Sequence, residues 1–470
     1  MKRSGYAAFL LLRQVTILIL LSSGCEHRLP SNPVRTPGGA ASFGRDVAPI
    51  FNARCAVAGC HDPGTRQVGL ALNTWANTLR GSLFGEVVVP FAPERSTLVD
   101  MISGRGVPGM PFGQAPLDSI SISRISEWIR QGAVNDSGRI AFDDGKARLY
   151  AAHQGEGLVS ILDVETLQVA RVIGAGDAGL SLHMAVAADG KFWYATDRER
   201  RRFSKFEART NRLLGVVSLS QAAGSCVLTP NGETAYVGYA DSARGSANGV
   251  VAVNTLTMRV DQVIPTQRGP HHLAVDAVGR RVFVAHEESD WITIVDTQSN
   301  AVVQQFPLER GRLPSANGTH RPSGLVISPS GTELWVSCSG SSQMRIYDPT
   351  NGALLDSVIT LAAPRQPAMS NDGKTIYVPC RDAEQVMVID AADRLGVKNL
   401  SSHDIAQPEG SAVSPDGRFV FVASSNARHT YRARRVQAAR GNVVVIDVAR
   451  NQIVKTIEVQ DQPRGICASR

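Results

Sequence analysis

The sequence predicts a multidomain fold in which a small, mainly α-helical domain precedes an all-β propeller of seven blades. Three observations support this prediction. A strand-like phrase returns seven times between residues 146 and 470, whereas residues 42–137 carry apolar positions at helical spacing. The 43 glycines and 24 prolines favour many short strands and tight turns. A chain of 470 residues also exceeds what one ordinary core accommodates.

The repeat is clearest at Ser328–Val336, which reads S-P-S-G-T-E-L-W-V. Further copies are Thr229–Val237, Ser370–Val378 and Ser414–Val422, with weaker copies at Ala187–Ala195 and Asp276–Val284. Alignment on the aromatic position yields Tyr150, Tyr194, Tyr236, Phe283, Trp335, Tyr377 and Phe421, most of them 42 to 47 positions apart. Repeats of this period with several short strands each predict propeller blades. They resemble the YVTN-type seven-bladed family over most of residues 146–470.

The two ends of the repeat region predict how the ring closes. The first copy lacks a leading strand, and Pro463–Cys467 supplies such a strand with no copy after it. We therefore expect the C-terminal strand to become the innermost strand of the first blade, which leaves no long open edge.

The N-terminus has the pattern of a lipoprotein signal peptide, predicted over residues 1–24. Lys2 and Arg3 precede a mostly apolar stretch, and the sequence L-S-S-G-C then ends at Cys25. This ending resembles a bacterial lipobox. The resemblance implies that Cys25 is lipidated and anchors the chain to a membrane in the cell envelope of a Gram-negative-type bacterium, facing the periplasm or in the outer membrane. An ordinary cleaved signal peptide is the alternative. Residues 25–41 are predicted to form a flexible tether.

Residues 42–137 are predicted to form the helical domain. Apolar residues recur at helical spacing just before a cysteine pair and again near the end of the domain. These positions are Phe43, Val47, Ile50 and Phe51 in the first segment and Ile120, Ile125, Trp128 and Ile129 in the second. We expect Gly132 to end the second helix and the Gly- and Pro-rich middle of the domain to form loops.

The most specific chemical signal is the sequence C-A-V-A-G-C-H, in which Cys55 and Cys60 precede His61. Two thiols can add to the two vinyl groups of a haem, and the adjacent imidazole can then bind the iron. Four residues separate the cysteines, where the usual attachment motif has two. A zinc site and a disulfide bond are the alternatives, although no nearby Cys or His supplies the fourth ligand that structural zinc needs.

Several motifs around the cysteine pair occur in a characteristic order. They are D-V-A-P-I-F-N-A-R-C before it, then V-V-P at Val88–Pro90, S-T-L-V at Ser96–Val99, G-M-P-F-G at Gly109–Gly113 and I-S-E-W-I-R-Q-G-A at Ile125–Ala133. Together they resemble a small class I-type cytochrome c domain. The resemblance implies one haem c, with Met110 of the Met-Pro step as the axial ligand opposite His61. Met101 is the competing sulfur, but its apolar, helical surroundings predict that it is packed.

Histidines and arginines gather on one face of the predicted propeller, where each innermost strand starts and the next strand ends. The repeat alignment places there His153, His183, His271, His272 and His286, with Arg321, Arg365, Arg381 and Arg464 nearby. These side chains could line a wet channel, or form a site for a metal, a second haem or an anionic substrate. Periplasmic nitrite reductases with d-type haem share the domain order, but their propeller has eight blades, and no catalytic residue is carried over from them.

Three functions are consistent with these features. The leading prediction is a c-type haem electron-transfer protein whose propeller docks a redox protein partner or a ligand. The alternatives are a periplasmic oxidoreductase with a second cofactor or metal site on the propeller face, and a non-catalytic surface binding protein. The formal charge of +7, about +4 without Lys2, Arg3 and Arg13, is too evenly spread to predict a nucleic-acid site. The sequence contains no phosphate loop or dinucleotide fingerprint, so no nucleotide cofactor is expected.

Overall fold

A computed structural model describes residues 41–143, 146–174, 181–240, 248–311, 318–433 and 440–469. The predicted signal peptide, Cys25 and nearly all of the tether lie outside these residues. Within them the chain forms a small helical domain and seven four-stranded sheets. None of the helices in this part of the chain is long and apolar enough to cross a membrane.

The helical domain contains four α-helices joined by loops. Their bounds are Ala48–Arg54 (α1), Trp75–Arg80 (α2), Thr97–Ile102 (α3) and Ser119–Arg130 (α4). The side chain of Asp118 caps α4 by accepting a hydrogen bond from the Ser121 amide at 2.9 Å. Beyond α4 the chain turns at Gly132, whose φ of 99° strains any residue with a Cβ atom.

The core of this domain forms where α4 packs against the segment that leads into α1. Phe43 and Trp128 have ring centroids 5.7 Å apart. The Trp128 indole N–H donates to the Val134 carbonyl at 2.8 Å, which fixes the chain after α4. Ile120, which its spacing placed on the buried face, is 66% exposed, whereas Ile125 is fully buried. The first turn of α4 therefore lies outside the core.

The propeller is built from 28 strands in the described part of the chain. In chain order they are β1 Arg148–His153, β2 Leu158–Asp163, β3 Gln168–Gly174, β4 Ser181–Val186, β5 Phe192–Asp197, β6 Arg202–Glu207, β7 Leu213–Ser218, β8 Ala223–Leu228, β9 Thr234–Tyr239, β10 Gly249–Asn254, β11 Arg259–Pro265, β12 Pro270–Val275, β13 Arg281–His286, β14 Trp291–Asp296, β15 Ala301–Pro307, β16 Pro322–Ile327, β17 Leu334–Cys338, β18 Gln343–Tyr347, β19 Leu354–Ile359, β20 Ala368–Met369, β21 Thr375–Cys380, β22 Gln385–Asp390, β23 Leu395–Ser401, β24 Pro408–Val413, β25 Phe419–Ser424, β26 Asn442–Asp447, β27 Gln452–Glu458 and β28 Pro463–Ala468. Blade 1 has the order β28-β1-β2-β3, and blades 2 to 7 each take the next four strands, from β4–β7 to β24–β27.

Two recurring turns explain the repeated sequence motifs. In the S-P-D-G copy, Ser414 Oγ accepts a hydrogen bond from the Phe419 amide at 2.9 Å, which closes the turn between the two inner strands of the blade. Gly417 supplies the φ of 72° that this turn requires. An aspartate at the end of the third strand caps the next turn, as Asp163 does for the Thr166 amide at 2.7 Å. Local side-chain chemistry therefore builds the same turns in successive blades.

The ring closes between the two ends of the propeller. β28 pairs with β1 in antiparallel fashion, with Ile466 opposite Ala151 and Cys467 opposite Tyr150. The C-terminal strand is thus the innermost strand of blade 1. Innermost strands of neighbouring blades contact one another around the centre of the ring, as β28 does with β24 and β4. This arrangement confirms the predicted all-β, seven-bladed propeller.

The helical domain packs against the side of the propeller. Val89 and Ala92 belong to one apolar cluster with residues of the first and last blades, among them Leu149 and Ile457. The Arg95 guanidinium donates to Gln460 Oε1 at 2.7 Å, just before β28 begins. The two domains therefore share a buried contact, which no local sequence pattern predicted.

Removal of the last eight residues, Pro463 to Arg470, should destabilise the whole propeller and not only its first blade. The truncation exposes the edge of β1 and deletes the buried Ile466. Loss of one large buried aliphatic side chain alone costs about 2–5 kcal/mol, so the melting temperature should fall by about 10 °C. Calorimetry of the full and truncated chains measures this, with deletion of Arg470 alone as the control. An unchanged melting temperature in the long truncation would refute the closure argument.

Candidate functional site

The cysteine–histidine loop, Cys55–His61, directly follows α1. Cys55 lies at the C-terminal end of α1 and is buried, whereas Cys60 is exposed, and both thiols are free. The His61 amide donates to the Cys55 carbonyl at 3.0 Å, and the Cys60 amide donates to the Val57 carbonyl at 3.0 Å. These hydrogen bonds close the loop on itself, so that both cysteines and His61 belong to one compact turn.

The His61 side chain is buried although it is polar, with only 8% of its surface exposed. Its Nδ1 atom has no hydrogen-bond partner in the described part of the chain. Burial lowers the pKa of His61, and the nearby backbone groups of Leu70 and Gln67 oppose this shift. The ring is therefore a neutral imidazole, which is the form that binds metals.

Met101 and Met110 are both partly buried. Met101 lies in α3, and its sulfur lies beside Gly106, where an added Cβ atom would be 2.6 Å from it. Met110 is partly buried, and its amide donates to the Met101 carbonyl at 2.9 Å. Arg54, the last residue of α1, donates to the Ala115 carbonyl at 3.3 Å. The loop that carries Met110 is thus tied to the helix that leads into the cysteine–histidine loop.

The helical domain also exposes many apolar side chains. Val57, Val68, Leu83, Phe84, Val107 and Phe112 are 38% to 81% exposed. Val57 lies within the cysteine–histidine loop, Phe112 follows Met110 by two residues, and the Leu83 amide donates to the Val68 carbonyl at 2.8 Å. Exposed apolar surface of this kind marks binding sites. Two free thiols, a neutral imidazole and one exposed apolar side chain, Val57, thus lie in one loop, and these residue types fit a covalently held haem.

The two alternatives for the cysteine pair fit this geometry less well. In the residues that the structure describes, no three His, Cys, Asp or Glu side chains lie close enough together to hold a metal ion. Cys55 and Cys60 are not bonded to each other, and burial raises the pKa of the Cys55 thiol to about 11. In this structure both thiols are free, and the described residues do not complete a four-ligand zinc site around them.

On the propeller, His153 and His286 are enclosed within their blades. His153 Nε2 is 2.8 Å from Ser160 Oγ, and His286 Nε2 is 2.9 Å from Thr293 Oγ1, in each case on the neighbouring strand. Both side chains are fully buried, and burial lowers the pKa of each to about 3. These two histidines are neutral groups that join adjacent strands, and the structure does not bring them together with the other histidines.

His183 and His272, by contrast, meet at the centre of the ring on β4 and β12. Their ring centroids are 6.2 Å apart. Burial lowers the pKa of His183 to about 3, and the charges of His271 and Arg464 act in the same direction. Burial also holds the pKa of His272 well below its ordinary value. Because His272 Nδ1 accepts a hydrogen bond from the Leu325 amide at 3.3 Å, its own proton lies on Nε2. His272 is therefore a hydrogen-bond donor rather than a free metal ligand.

The arginine cluster lies on the same face of the propeller. We give this name to Arg321, Arg365, Arg381 and Arg464 together with Glu287 and Glu409. Glu287 is 2.9 Å from Arg321 and 3.8 Å from Arg365. Glu409 is 3.5 Å from Arg365, 3.1 Å from Arg381 and 4.0 Å from Arg464, measured to Nε in each case. Arg365 thus links the two glutamates into one network.

The arginine cluster carries more positive than negative charge. Its four arginines share two glutamates, which leaves a net charge of about +2 by subtraction. Burial lowers the pKa of Arg464; repulsion from Arg381 and Arg365 adds to this shift, and Glu409 opposes it. The Nε atoms of Arg365, Arg381 and Arg464 are buried without an aligned hydrogen-bond partner in the described structure. The cluster therefore holds unsatisfied donors.

Repeat alignment named the four arginines of this cluster but missed the two glutamates. Glu287 directly follows β13, and Glu409 is the second residue of β24. Each stands beside an aligned position, next to His286 and Gly410 respectively. A search for charged residues one position away from the aligned positions would have found both glutamates.

Known proteins of the same fold are similar to this chain. A family model described as "Lactonase, 7-bladed beta-propeller" matches residues 250–415. The crystal structure of a functionally unknown protein from Desulfotomaculum acetoxidans aligns with a TM-score of 0.56 and 14% identity, covering 69% of this chain and 99% of that chain. Kuenenia stuttgartiensis hydrazine synthase aligns with a TM-score of 0.50 and 19% identity, covering 63% of this chain and 91% of that chain. Likenesses this distant establish the fold alone.

Curated relatives match shorter parts of the chain. Antigen Lp49 of Leptospira interrogans is 23% identical over 205 residues, which is 42% of each protein. The uncharacterized protein YncE of Salmonella typhi is 29% identical over 153 residues, 32% of this chain and 40% of that protein. The aligned parts thus span less than half the length of these relatives. The chain contains a seven-bladed β-propeller with YVTN-like repeats, and part of it is similar to the Lactonase model, to YncE and to Lp49.

Replacement of His286 by glutamine should flatten the dependence of stability on pH. The unfolded chain binds a proton at the ordinary histidine pKa of 6.5, whereas folded His286 does so only near 3. Acidification from pH 6.5 towards 3 therefore favours unfolding, by about 2 kcal/mol for this residue at about pH 5. Urea unfolding at about pH 7 and about pH 5 measures the loss, which should be smaller in His286→Gln than in the wild type.

The exposed His429 provides the matched control for this measurement. His429→Gln should lose as much stability on acidification as the wild-type protein. Equal losses in His286→Gln, His429→Gln and the wild type would contradict the assignment of His286 as a buried neutral group.

Proposed function

We propose that this chain is a c-type haem electron-transfer protein of the bacterial cell envelope, in which the propeller docks a redox protein partner. The cysteine–histidine loop is the observation that carries the proposal. It combines two free thiols and a buried imidazole in one turn, within a domain that exposes apolar side chains. The loop folds back on Cys55 through the hydrogen bond from the His61 amide, which supports attachment despite the longer spacing of the cysteines.

The residues that would hold the haem are those of the loop together with one methionine. Cys55 and Cys60 would form the thioether bonds, and His61 would bind the iron. Met110 would be the second iron ligand, because it stands in the Met-Pro step of the cytochrome-like motif and its loop is tied to α1 by the hydrogen bond from Arg54 to Ala115. Held in this way, a haem supplies one-electron redox chemistry at a potential raised by the thioether ligand.

The protein's own contribution is to orient these ligands and to exclude water. Burial keeps the His61 imidazole neutral, and the backbone groups of Leu70 and Gln67 lie close enough to orient the ring. Val57 and Phe112 are exposed, and they would pack against the bound group. Their apolar surface would then no longer be in contact with water.

The contact between the two domains supports a docking role for the propeller. Val89 and Ala92 pack against the first and last blades, and Arg95 is hydrogen-bonded to Gln460. The helical domain is therefore held at one place beside the propeller face. A partner bound to the propeller would find the redox group of the helical domain in a constant position.

The proposed location is the cell envelope, with Cys25 as the lipid anchor. The pattern of a charged start, an apolar stretch and L-S-S-G-C before Cys25 supports this location. We do not extend the proposal to a second redox site on the propeller. His272 Nδ1 is occupied by the Leu325 amide, which disfavours ligation of a metal by this histidine.

Replacement of both Cys55 and Cys60 by alanine should abolish covalent haem attachment. The mature protein would be produced in an exporting host with a c-type haem maturation system. Wild-type protein should retain its haem after denaturation, whereas the double variant should lose all of it, as judged by the absorption spectrum in alkaline pyridine. The control is Cys226→Ala, which removes a buried propeller thiol and should keep the haem. Wild-type protein without covalent haem would refute the proposal.

Met110→Leu should remove the methionine-to-iron absorption band and lower the reduction potential. Leucine conserves the volume of the side chain but has no sulfur to bind the iron. Met101→Leu is the matched control, and it should leave both the band and the potential unchanged because Met110 is the proposed ligand and the Met101 sulfur lies beside Gly106. If the Met101 variant loses the band and the Met110 variant keeps it, the iron ligand is Met101 and not Met110.

A further inference from the structure

The arginine cluster is not used by the proposed electron transfer, since all of its residues belong to the propeller. Arg464 lies on β28, Glu409 on β24, and Arg365 and Arg381 flank β20 and β21. Two blades therefore direct guanidinium groups, and a third directs the Glu409 carboxylate, to one place on the face where the innermost strands begin. Like charges repel, so such a convergence costs free energy unless something compensates for it.

The glutamates compensate for only part of this charge. Glu409 is the carboxylate within 4.0 Å of three guanidinium groups, and only 11% of its side chain is exposed. The Glu287 carboxylate lies within 4.0 Å of Arg321 and Arg365, and it is 3.5 Å from His271. A depression of about 360 Å³ adjoins this part of the cluster and adds Arg268 and Glu288, whose charges cancel. An excess of positive charge therefore remains.

The donors of the cluster are also incompletely used. Arg365, Arg381 and Arg464 lie at ion-pair distance from Glu409, yet in the described residues their buried Nε atoms lack an aligned acceptor. Glu409 Oε1 likewise lacks an aligned donor, so the ion pairs leave donors and acceptor unsatisfied together. Leaving a buried N–H without an acceptor is unfavourable. Guanidinium groups arranged in this way match the oxygens of a carboxylate or phosphate, which accept several N–H bonds at once.

Neutral histidines line the adjoining part of the centre. His272 keeps its proton on Nε2 because Nδ1 accepts from the Leu325 amide, and the ring of His183 lies 6.2 Å away. Arg464 is near enough to His183 for its charge to act on that ring. His272 therefore offers a further N–H donor next to the cluster. Neither His272 nor His183 adds negative charge there.

We propose that the arginine cluster binds a small oxyanion, either a dicarboxylate or a phosphate, between Arg365, Arg381 and Arg464. The anion supplies the negative charge that the cluster lacks, and its oxygens add acceptors to the one that Glu409 Oε1 offers beside Arg381. Glu409 competes with the anion for the same guanidinium groups and so limits its affinity. The site lies on the propeller and binds its ligand whether or not the helical domain carries a haem.

The test is a titration of the full mature chain with inorganic phosphate and with a series of dicarboxylates (oxalate, malonate and succinate), at constant ionic strength. Isothermal titration calorimetry should show saturable binding of one anion per chain. Arg381→Gln should weaken this binding about tenfold or more, because it removes a charge-assisted hydrogen bond. Preference for phosphate or for one dicarboxylate would identify the ligand class, and both results support the site.

Arg418→Gln is the matched control for this test. Arg418 is 59% exposed and pairs with Asp416 in the turn before β25, away from the cluster. Its loss changes the net charge of the protein by the same amount and should leave the affinity unchanged. Equal weakening by the Arg381 and Arg418 variants would show diffuse charge attraction and would overturn the proposal.

Glu409→Gln separates a binding site from a purely structural network, and it does not depend on how well the Arg381 variant folds. If the cluster binds an anion, loss of the competing carboxylate should tighten binding about tenfold, since three guanidinium groups are released. If the arginines serve only to hold Glu409, neither the wild type nor Glu409→Gln will show saturable binding to either class of anion. That second result would overturn the proposal.

Discussion

The propeller depends on the antiparallel pairing of its last strand with its first. The pairing joins residues that are far apart in the chain, such as Arg148 and Ser469, whose amide and hydroxyl are 2.7 Å apart across 321 positions. The entropic cost of closing so long a loop grows only slowly with its length. Because the ring is closed, β1 has no open edge and every blade has a neighbour on each side. A single contact between the chain ends therefore makes seven similar sheets into one ring.

Closure also determines which side chains meet at the centre. Each blade places the start of its innermost strand on the same face, so residues of distant blades become neighbours regardless of charge. Arg365, Arg381 and Arg464 are brought around Glu409 in this way, and His183 is brought to His272. The repulsion between the arginines is thus a cost imposed by the ring geometry. The buried carboxylates reduce this cost but do not remove it.

The sequence predicts the fold well because the signals for it are local. The turn residues repeat in every clear copy, and the unpaired final strand predicts the closure that the structure has. The predictions for individual side chains are less complete, because equivalent positions in a repeat do not imply equivalent contacts. His153 and His272 share a face in the alignment, but a hydroxyl on the next strand encloses His153 within its blade. The burial of His61 and the contact between the domains arise from tertiary packing, which spacing alone does not show.

A short segment around β28 connects the separate parts of the molecule. Gln460 binds Arg95 of the helical domain, Arg464 belongs to the arginine cluster, and Ile466 packs between the first and last blades. These residues lie within seven positions of one another, in β28 and the three residues before it. One short segment therefore takes part in the domain contact, in the arginine cluster and in the closure of the ring. A ligand that relieves the repulsion on Arg464 would bind only the closed ring, and by mass action it would stabilise that ring. The same binding would then favour the position of Gln460 that holds the helical domain. If the anion binds as proposed, occupancy of the propeller face and placement of the helical domain should therefore be linked through β28.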